Sequence, residues 1–258
     1  MRMANRALGG LLLAFQFFSS IPVHKEIDVK KPQVTAMYSL LPVVGVLMGA
    51  ITSAMIWFLQ DATDIGPLLI AFLAASTLWA MTGGLHLDGL ADTGDAYFSY
   101  QDKDKRLEIM GDPRIGAFGA MVLIFAIAGK IIVLAELIPS VSLIALAAVP
   151  AASRIGLSIL SVAAKPAKTE GLAAYFQRQI DGKTIVPAMF GWSLVVLATL
   201  FIFCGWAVAL AFFAVVAFAT VAYKKWCDKN FGGVTGDLLG AYAEGMELLL
   251  WGTLLFFA

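Results

Sequence analysis

The chain has 258 residues, of which 60% are hydrophobic and only 14% charged, with a formal net charge of zero and a mean hydropathy of +0.85. A soluble domain carries about 25% charged residues, so soluble folds are excluded, and no nucleic-acid partner is expected of a chain without basic excess. The expected fold class is all-α: a polytopic membrane helix bundle of about seven transmembrane helices plus an N-terminal interfacial or re-entrant helix, forming one integral-membrane domain over 1–258.

The N-terminal segment carries Arg2, Arg6, Lys25, Lys30 and Lys31 around the apolar run Leu8–Phe18. That run is too short for a bilayer crossing, which needs about 20 residues, and it ends near Ser19–Pro22. No cleavable signal pattern is present. Spans are then expected at about Val34–Leu59, Pro67–Leu85, Ala117–Leu137, Val141–Ala163, Ile185–Phe203, Trp206–Tyr223 and Leu238–Phe257. Cys204 and Cys227 lack metal-ligand spacing and read as structural or free thiols.

Nearly all Lys and Arg fall in alternate connections: the N-terminal segment, 86–116, 164–184 and 224–237. The opposite connections, near 60–66, 138–140 and 204–205, hold none. By the positive-inside rule the charged connections face the cytoplasm. The expected location is therefore the cell inner membrane, multi-pass, with every polar motif on the cytoplasmic face. Transporters place their sites near the midplane, so one-sided polarity favours an enzyme.

Residues 83–119 hold seven of the 18 acidic residues, four of the 18 basic ones and His86. Asp88, Asp92 and Asp95 stand at offsets 0, 4 and 7, on one stripe of a helix. Carboxylates so placed repel one another unless a cation intervenes, and hard oxygen ligands point to Mg²⁺ or Mn²⁺. His86 reads either as a general base or phosphate contact, or as a hydrogen-bonding bystander. In G111-D-P-R-I-G-A-F-G119, Arg114 and Gly116 at a helix start suit a phosphate. Arg106, on a short amphipathic surface helix over 102–110, is within reach of the same group. Arg154 lies deep in an apolar span and needs a partner, either a phosphate, the aspartates or a structural carboxylate. Lys130 and Glu136 read as snorkelling or structurally paired. Asp237, Glu244 and Glu247, at offsets 0, 7 and 10, form a second acidic face, which reads as further metal ligands or as an interhelical hydrogen-bond network. Thr235 is placed to cap that helix. The basic loop with Lys165 and Lys168 reads as topology-setting charge, while Tyr175, Phe176 and Gln177 offer a weak signal for a substrate ring.

GGLHLDGLADTGDA followed by R-x-E-I-M-G-D-P-R-I-G-A-F-G resembles the cobalamin synthase family, adenosylcobinamide-GDP ribazoletransferase. The segment GGVTGDLLGAYAE-x-x-E is similar to that family's second signature, and FQFFSSIPV to its N-terminal one, with Ser19 and Ser20 in place of Thr-Arg. The resemblance runs over essentially the whole chain. It implies Mg²⁺-dependent transfer of the adenosylcobinamide-phosphate moiety of adenosylcobinamide-GDP to α-ribazole or its 5′-phosphate, with release of GMP. On that implication Asp88, Asp92, Asp95 and His86 are the catalytic candidates, and Arg114, Arg154, Arg106 and Gly116 the substrate-binding ones. Asp88, Asp92, Asp95, Asp237, Glu244 and Glu247 are the candidate Mg²⁺ ligands. The aspartate pattern also looks like a relative of the CDP-alcohol phosphotransferase motif, Asp-x-x-Asp-Gly-x-x-Ala-Arg, although Asp92 follows Ala91 where that motif has Arg. A CDP-alcohol phosphotransferase and a cation transporter are the alternatives. Besides the two substrates the bilayer is the expected partner, and a homo-oligomer is left open.

Overall fold

The computed structural model describes residues 2–258, with side chains from Asn5 onward; the Arg2 side chain, counted above among the N-terminal cations, lies outside the described residues. Among the described residues there are eleven helices, no named strand, and a single isolated bridge between Pro166 and Val234.

Helix α1 (Arg2–Phe18) packs along α2 (Lys31–Ala62). Gly10 marks the close approach, where a Cβ would come within 2.4 Å of the Ala36 methyl. Chain direction changes sharply between α3 (Pro67–Thr82) and α4 (Leu85–Phe98), whose axes differ by 91°. Gly83 and Gly84 make the corner, with φ of +64° and +77°. Two successive residues in the left-handed region are accessible at low cost only to glycine. The expected span to Leu85 therefore ends at Thr82, and the aspartate stripe rides on a separate helix turned across the bundle.

A short helix, α5 (Lys103–Ile109), follows, with Asp102 at its N-cap accepting from the Lys105 amide at 3.0 Å. Then come α6 (Ala117–Leu137), α7 (Leu143–Ala163), α8 (Leu172–Gln179), α9 (Gly182–Cys204), α10 (Trp206–Asn230) and α11 (Gly236–Leu254). Helix α7 is the central post, buried on most sides and packed against α2, α9, α10 and α11. Small residues let it be central: a Cβ on Gly49 of α2 would lie 2.0 Å from the Ala147 carbonyl oxygen. By contrast α6, α9 and α10 keep large apolar side chains outward, with Phe125 76% and Phe218 78% exposed. Such faces belong in hydrocarbon, where a helix satisfies its own backbone.

Among the described residues five helices, α2, α6, α7, α9 and α10, are long and apolar enough to cross a membrane, or six crossings if the bent α3–α4 pair counts as one. The expected seventh span corresponds to α11. That helix carries three carboxylates, Asp237, Glu244 and Glu247, and it is buried among α4, α6, α7 and α10 rather than presented to lipid.

Candidate active site

The two acidic helices cross where the sequence lacks side chains. A Cβ on Gly89 of α4 would sit 2.7 Å from the Asp237 carbonyl oxygen, and one on Gly240 of α11 would sit 3.2 Å from the His86 Cα. Glycine at both points brings the backbones together and sets Asp237 beside the α4 stripe. Asp88 is exposed, while Asp92 and Asp237 are half-buried. Asp88, Asp237 and Asp95 all act electrostatically on Asp92, opposed by Lys168 from the loop before α8. The same lysine acts on Asp237. Thr235 caps α11 as expected, accepting from the Leu238 amide at 3.2 Å. Lys168, read from the sequence as topology-setting charge, here acts on Asp92 and Asp237. Its loop is tied in place by reciprocal bonds, Ala167 N–H to the Val234 carbonyl and Val234 N–H to the Lys165 carbonyl, each 2.9 Å.

Asp95 has a different role from Asp88 and Asp92. Its carboxylate accepts from the Gly116 amide at 2.6 Å and the Gly119 amide at 2.8 Å. It thereby satisfies two of the free N–H groups at the start of α6. Asp95, expected as a metal ligand and catalytic group, thus also caps α6, with one backbone donor on each oxygen. Gly116, expected to contact a phosphate, gives its N–H to Asp95, and any Cβ there would lie 2.4 Å from Asp95 Oδ1.

Glu244 and Glu247 belong to a buried charge network. Lys130 Nζ donates to Glu244 Oε2 at 2.5 Å and to Glu247 Oε2 at 3.1 Å, and Arg154 Nη1 donates to Glu247 Oε1. All four side chains are at most 5% exposed. Trp79 Nε1 adds a 3.4 Å bond to Glu244, and the Lys130 ammonium lies over the Trp79 and Trp251 rings. Two cations and two anions balance, which is the arrangement charges require inside a membrane. Glu244 and Glu247, expected as metal ligands, and Arg154, expected at a phosphate, are here paired with one another and with Lys130. These carboxylates and this guanidinium neutralise one another. Lys130 was expected to be paired or snorkelling, and it is paired. Two expected spans carried unpartnered cations and a third carried the two matching anions; that count was the available signal.

Arg106, expected within reach of a phosphate, is engaged by its neighbours. Its guanidinium lies between the Tyr97 and Phe231 rings, at 5.3 and 5.8 Å, and Nη1 donates to the Asn230 side-chain oxygen at 3.0 Å. It straps α5 to the end of α10. Arg114, by contrast, is solvent-facing, with its side chain 86% exposed and forked onto Asp112 of its own loop at 2.9 and 2.6 Å. Those bonds hold the Asp112 carboxyl down at about 2.

Beside the acidic crossing lies a cavity of about 350 Å³. Four aromatic residues line it, Phe17 and Phe18 of α1, Tyr38 of α2 and Phe176 of α8, together with Lys168 and Asp237. His86 is 3% exposed, lines the cavity, and leaves Nδ1 without a partner. Of the three residues of 175–177, Phe176 alone lines the cavity. Tyr175 donates to the Val29 carbonyl at 2.9 Å, and Gln177 donates to the Ser161 and Ala164 carbonyls.

Among the described residues no three His, Cys, Asp or Glu side chains converge into a ready-made metal shell. That geometry does not suit a caged ion. It does suit Mg²⁺, which keeps several waters and is held by one or two carboxylates together with substrate phosphates. Asp88, Asp92 and Asp237, none of which makes a salt bridge among the described residues, supply the right donor type.

Comparison with known proteins agrees with the motif reading. The chain is 34% identical to an adenosylcobinamide-GDP ribazoletransferase of Geobacillus sp. (strain WCH70), over 95% of this chain and 94% of the relative. It is 38% identical to one of Geobacillus kaustophilus, over 97% and 96%, and 33% identical to one of Thermoanaerobacter sp. (strain X514), over 92% and 93%. No solved structure matches. Residues 10–255 match the family model for cobalamin-5-phosphate synthase, and the chain belongs to that family.

Proposed function

We propose that this protein catalyses the transfer for which its relatives are named, the final nucleotide-loop step of cobamide synthesis. The acceptor is α-ribazole or its 5′-phosphate, and the donor is adenosylcobinamide-GDP. An α-ribazole hydroxyl oxygen forms a bond to the phosphorus on the cobinamide side of the diphosphate. The bond from that phosphorus to the bridging oxygen breaks, and GMP leaves with the bridging oxygen. The hydroxyl proton passes to a carboxylate.

The single observation carrying the site assignment is the α4–α11 crossing, where Gly89 brings Asp237 against the Asp88–Asp92 stripe. Transfer of this kind asks for positioning and charge neutralisation more than for covalent chemistry. Mg²⁺ held by Asp88 and Asp237 would neutralise charge building on the diphosphate. Asp92, half-buried among Asp88, Asp237 and Asp95, is the proton acceptor. Lys168 and Arg114 are the cations free to meet phosphate oxygens. The Arg114–Asp112 pair is exposed and weak, so releasing it costs little. His86 is buried in the cavity wall, so it is read as a binding rather than a proton-transfer group. The site faces the cytoplasm across the inner membrane, in line with the one-sided distribution of Lys and Arg.

A cation-transport reading has little support, since the intramembrane carboxylates Glu244 and Glu247 are already neutralised by Lys130 and Arg154. The test of the site is Mg²⁺ titration of GMP release in protein reconstituted in nanodiscs. Asp88→Asn and Asp237→Asn are expected to need more Mg²⁺ for half-maximal rate. Unchanged Mg²⁺ dependence in both variants contradicts the assignment.

A further inference from the structure

We infer that Lys168 is the resident counter-ion of the acidic crossing: it holds down the affinity of the substrate-free protein for Mg²⁺ and turns to the donor's diphosphate when that binds, so that metal and donor enter together. This rests on the transfer reaction proposed above. Three observations carry it. The first is the placement of its backbone. Pro166 bridges to Val234, three residues before Asp237. Gly233 permits that approach, since a Cβ there would lie 2.4 Å from the Lys165 carbonyl oxygen and 2.8 Å from the Ala167 nitrogen. Lys168 and Asp237 line the same cavity.

The second is the placement of its ammonium. A Cβ on Gly111 would lie 3.7 Å from Lys168 Nζ, and 3.5 and 3.8 Å from the carbonyl oxygens of Glu108 and Leu107. The ammonium therefore lies by the carbonyl end of α5, where a cation is favoured. Gly116, five residues beyond Gly111, donates to Asp95. The loop over 111–116 thus meets Lys168 at one end and the α4 stripe at the other.

The third is charge. Among the described residues Asp88, Asp92 and Asp237 make no ion pair, and neither does Lys168. Lys130, Arg154 and Arg114 are each bound to carboxylates. The charge of Lys168 nevertheless acts on both Asp92 and Asp237. A cation near enough to be felt, and not locked in a pair, offsets carboxylate repulsion and repels an incoming divalent ion. Lysine suits such an exchange, being a compact charge on a flexible stem. A diphosphate offers that charge new partners and leaves the carboxylates to the metal. Mg²⁺ takes substrate phosphates among its ligands, so its site is complete only with the donor present.

The experiment uses the full chain in nanodiscs of zwitterionic lipid. Mn²⁺ alone is titrated into substrate-free protein, and binding is read from loss of the free-ion paramagnetic resonance signal. Lys168→Met is expected to bind Mn²⁺ roughly tenfold more tightly than wild type, the scale of removing one charge from a partly hydrated site. Lys168→Arg, which keeps the charge, should bind it as wild type does. The KM for adenosylcobinamide-GDP should move the other way, rising roughly tenfold in Lys168→Met. A lysine that only secured its loop would weaken both metal and donor when replaced, so the opposite signs are the signature. Asp237→Asn serves as the control for the metal site. Mn²⁺ binding that is lost in Asp237→Asn but unchanged or weakened in Lys168→Met overturns the inference alone. Tightening shared by Lys168→Arg, or an unchanged donor KM in Lys168→Met, overturns it as well. Mn²⁺ binding identical in wild type, Lys168→Met and Asp237→Asn defeats the metal site itself, and with it the reading on which the inference rests.

Discussion

Asp88 and Asp95 lie two turns apart on α4 and do different work. Asp88 is exposed at the crossing with α11, while Asp95 is fastened to the amides of Gly116 and Gly119. Substituting each separates the roles. Asp88→Asn should lower the rate of GMP release by roughly 100-fold or more, the scale for losing electrostatic stabilisation at a reacting group, without changing the melting temperature. Asp95→Ala should instead destabilise the fold by about 1–2 kcal/mol through loss of the α6 cap, read by thermal unfolding in detergent. The sequence made the acidic stripe legible because its spacing sets one face of one helix. It did not reveal that Asp95 reaches a loop 21 residues on, because capping depends on where that loop comes to rest. The same limit applies to Arg106, whose aromatic partners lie on α4 and at the end of α10.

Helices α6, α7 and α11 are joined by the Lys130–Glu244–Glu247–Arg154 network. Removing one member leaves an uncompensated buried charge. Lys130→Met alone should cost about 3–5 kcal/mol, and adding Glu244→Gln to it should recover part of that loss, both read as melting temperature in detergent. A double variant no more stable than Lys130→Met would show that the two groups are not paired. At the corner between α3 and α4, Gly83→Ala forces a Cβ into the left-handed region at a cost of about 1–2 kcal/mol. Hydropathy located these helices to within a few residues. It placed α4 on the end of a span because it registers apolarity, and the turn there comes from the backbone freedom of two glycines. The pairing of charges was hidden because each helix shows its own periodicity and not its rotation toward its neighbours.

Across the whole molecule, apolar faces on α6, α9 and α10 enclose a polar system gathered at α4, α11 and the loop before α8. The positive-inside pattern predicts the side on which that system opens. Cys204, half-buried at the end of α9, lies in a connection without Lys or Arg. A membrane-impermeant maleimide should label it on intact cells. On a Cys204→Ser background, Asp104→Cys in α5 should be labelled only after the cells are opened. The reverse pattern would place the aspartates outside and contradict a cytoplasmic site. Composition and motif were enough for fold class and reaction, since bilayer helices and a dense acidic motif leave strong marks. The cavity beside the aspartates was not legible, because its walls come from α1, α2, α4, α7, α8 and α11. The most direct test of the account is GMP formation by the purified protein in nanodiscs with Mg²⁺, adenosylcobinamide-GDP and α-ribazole. The account predicts one GMP per cobamide formed, dependent on both substrates and lost in Asp88→Asn. GMP released at the same rate without α-ribazole, or no GMP at all, would contradict it.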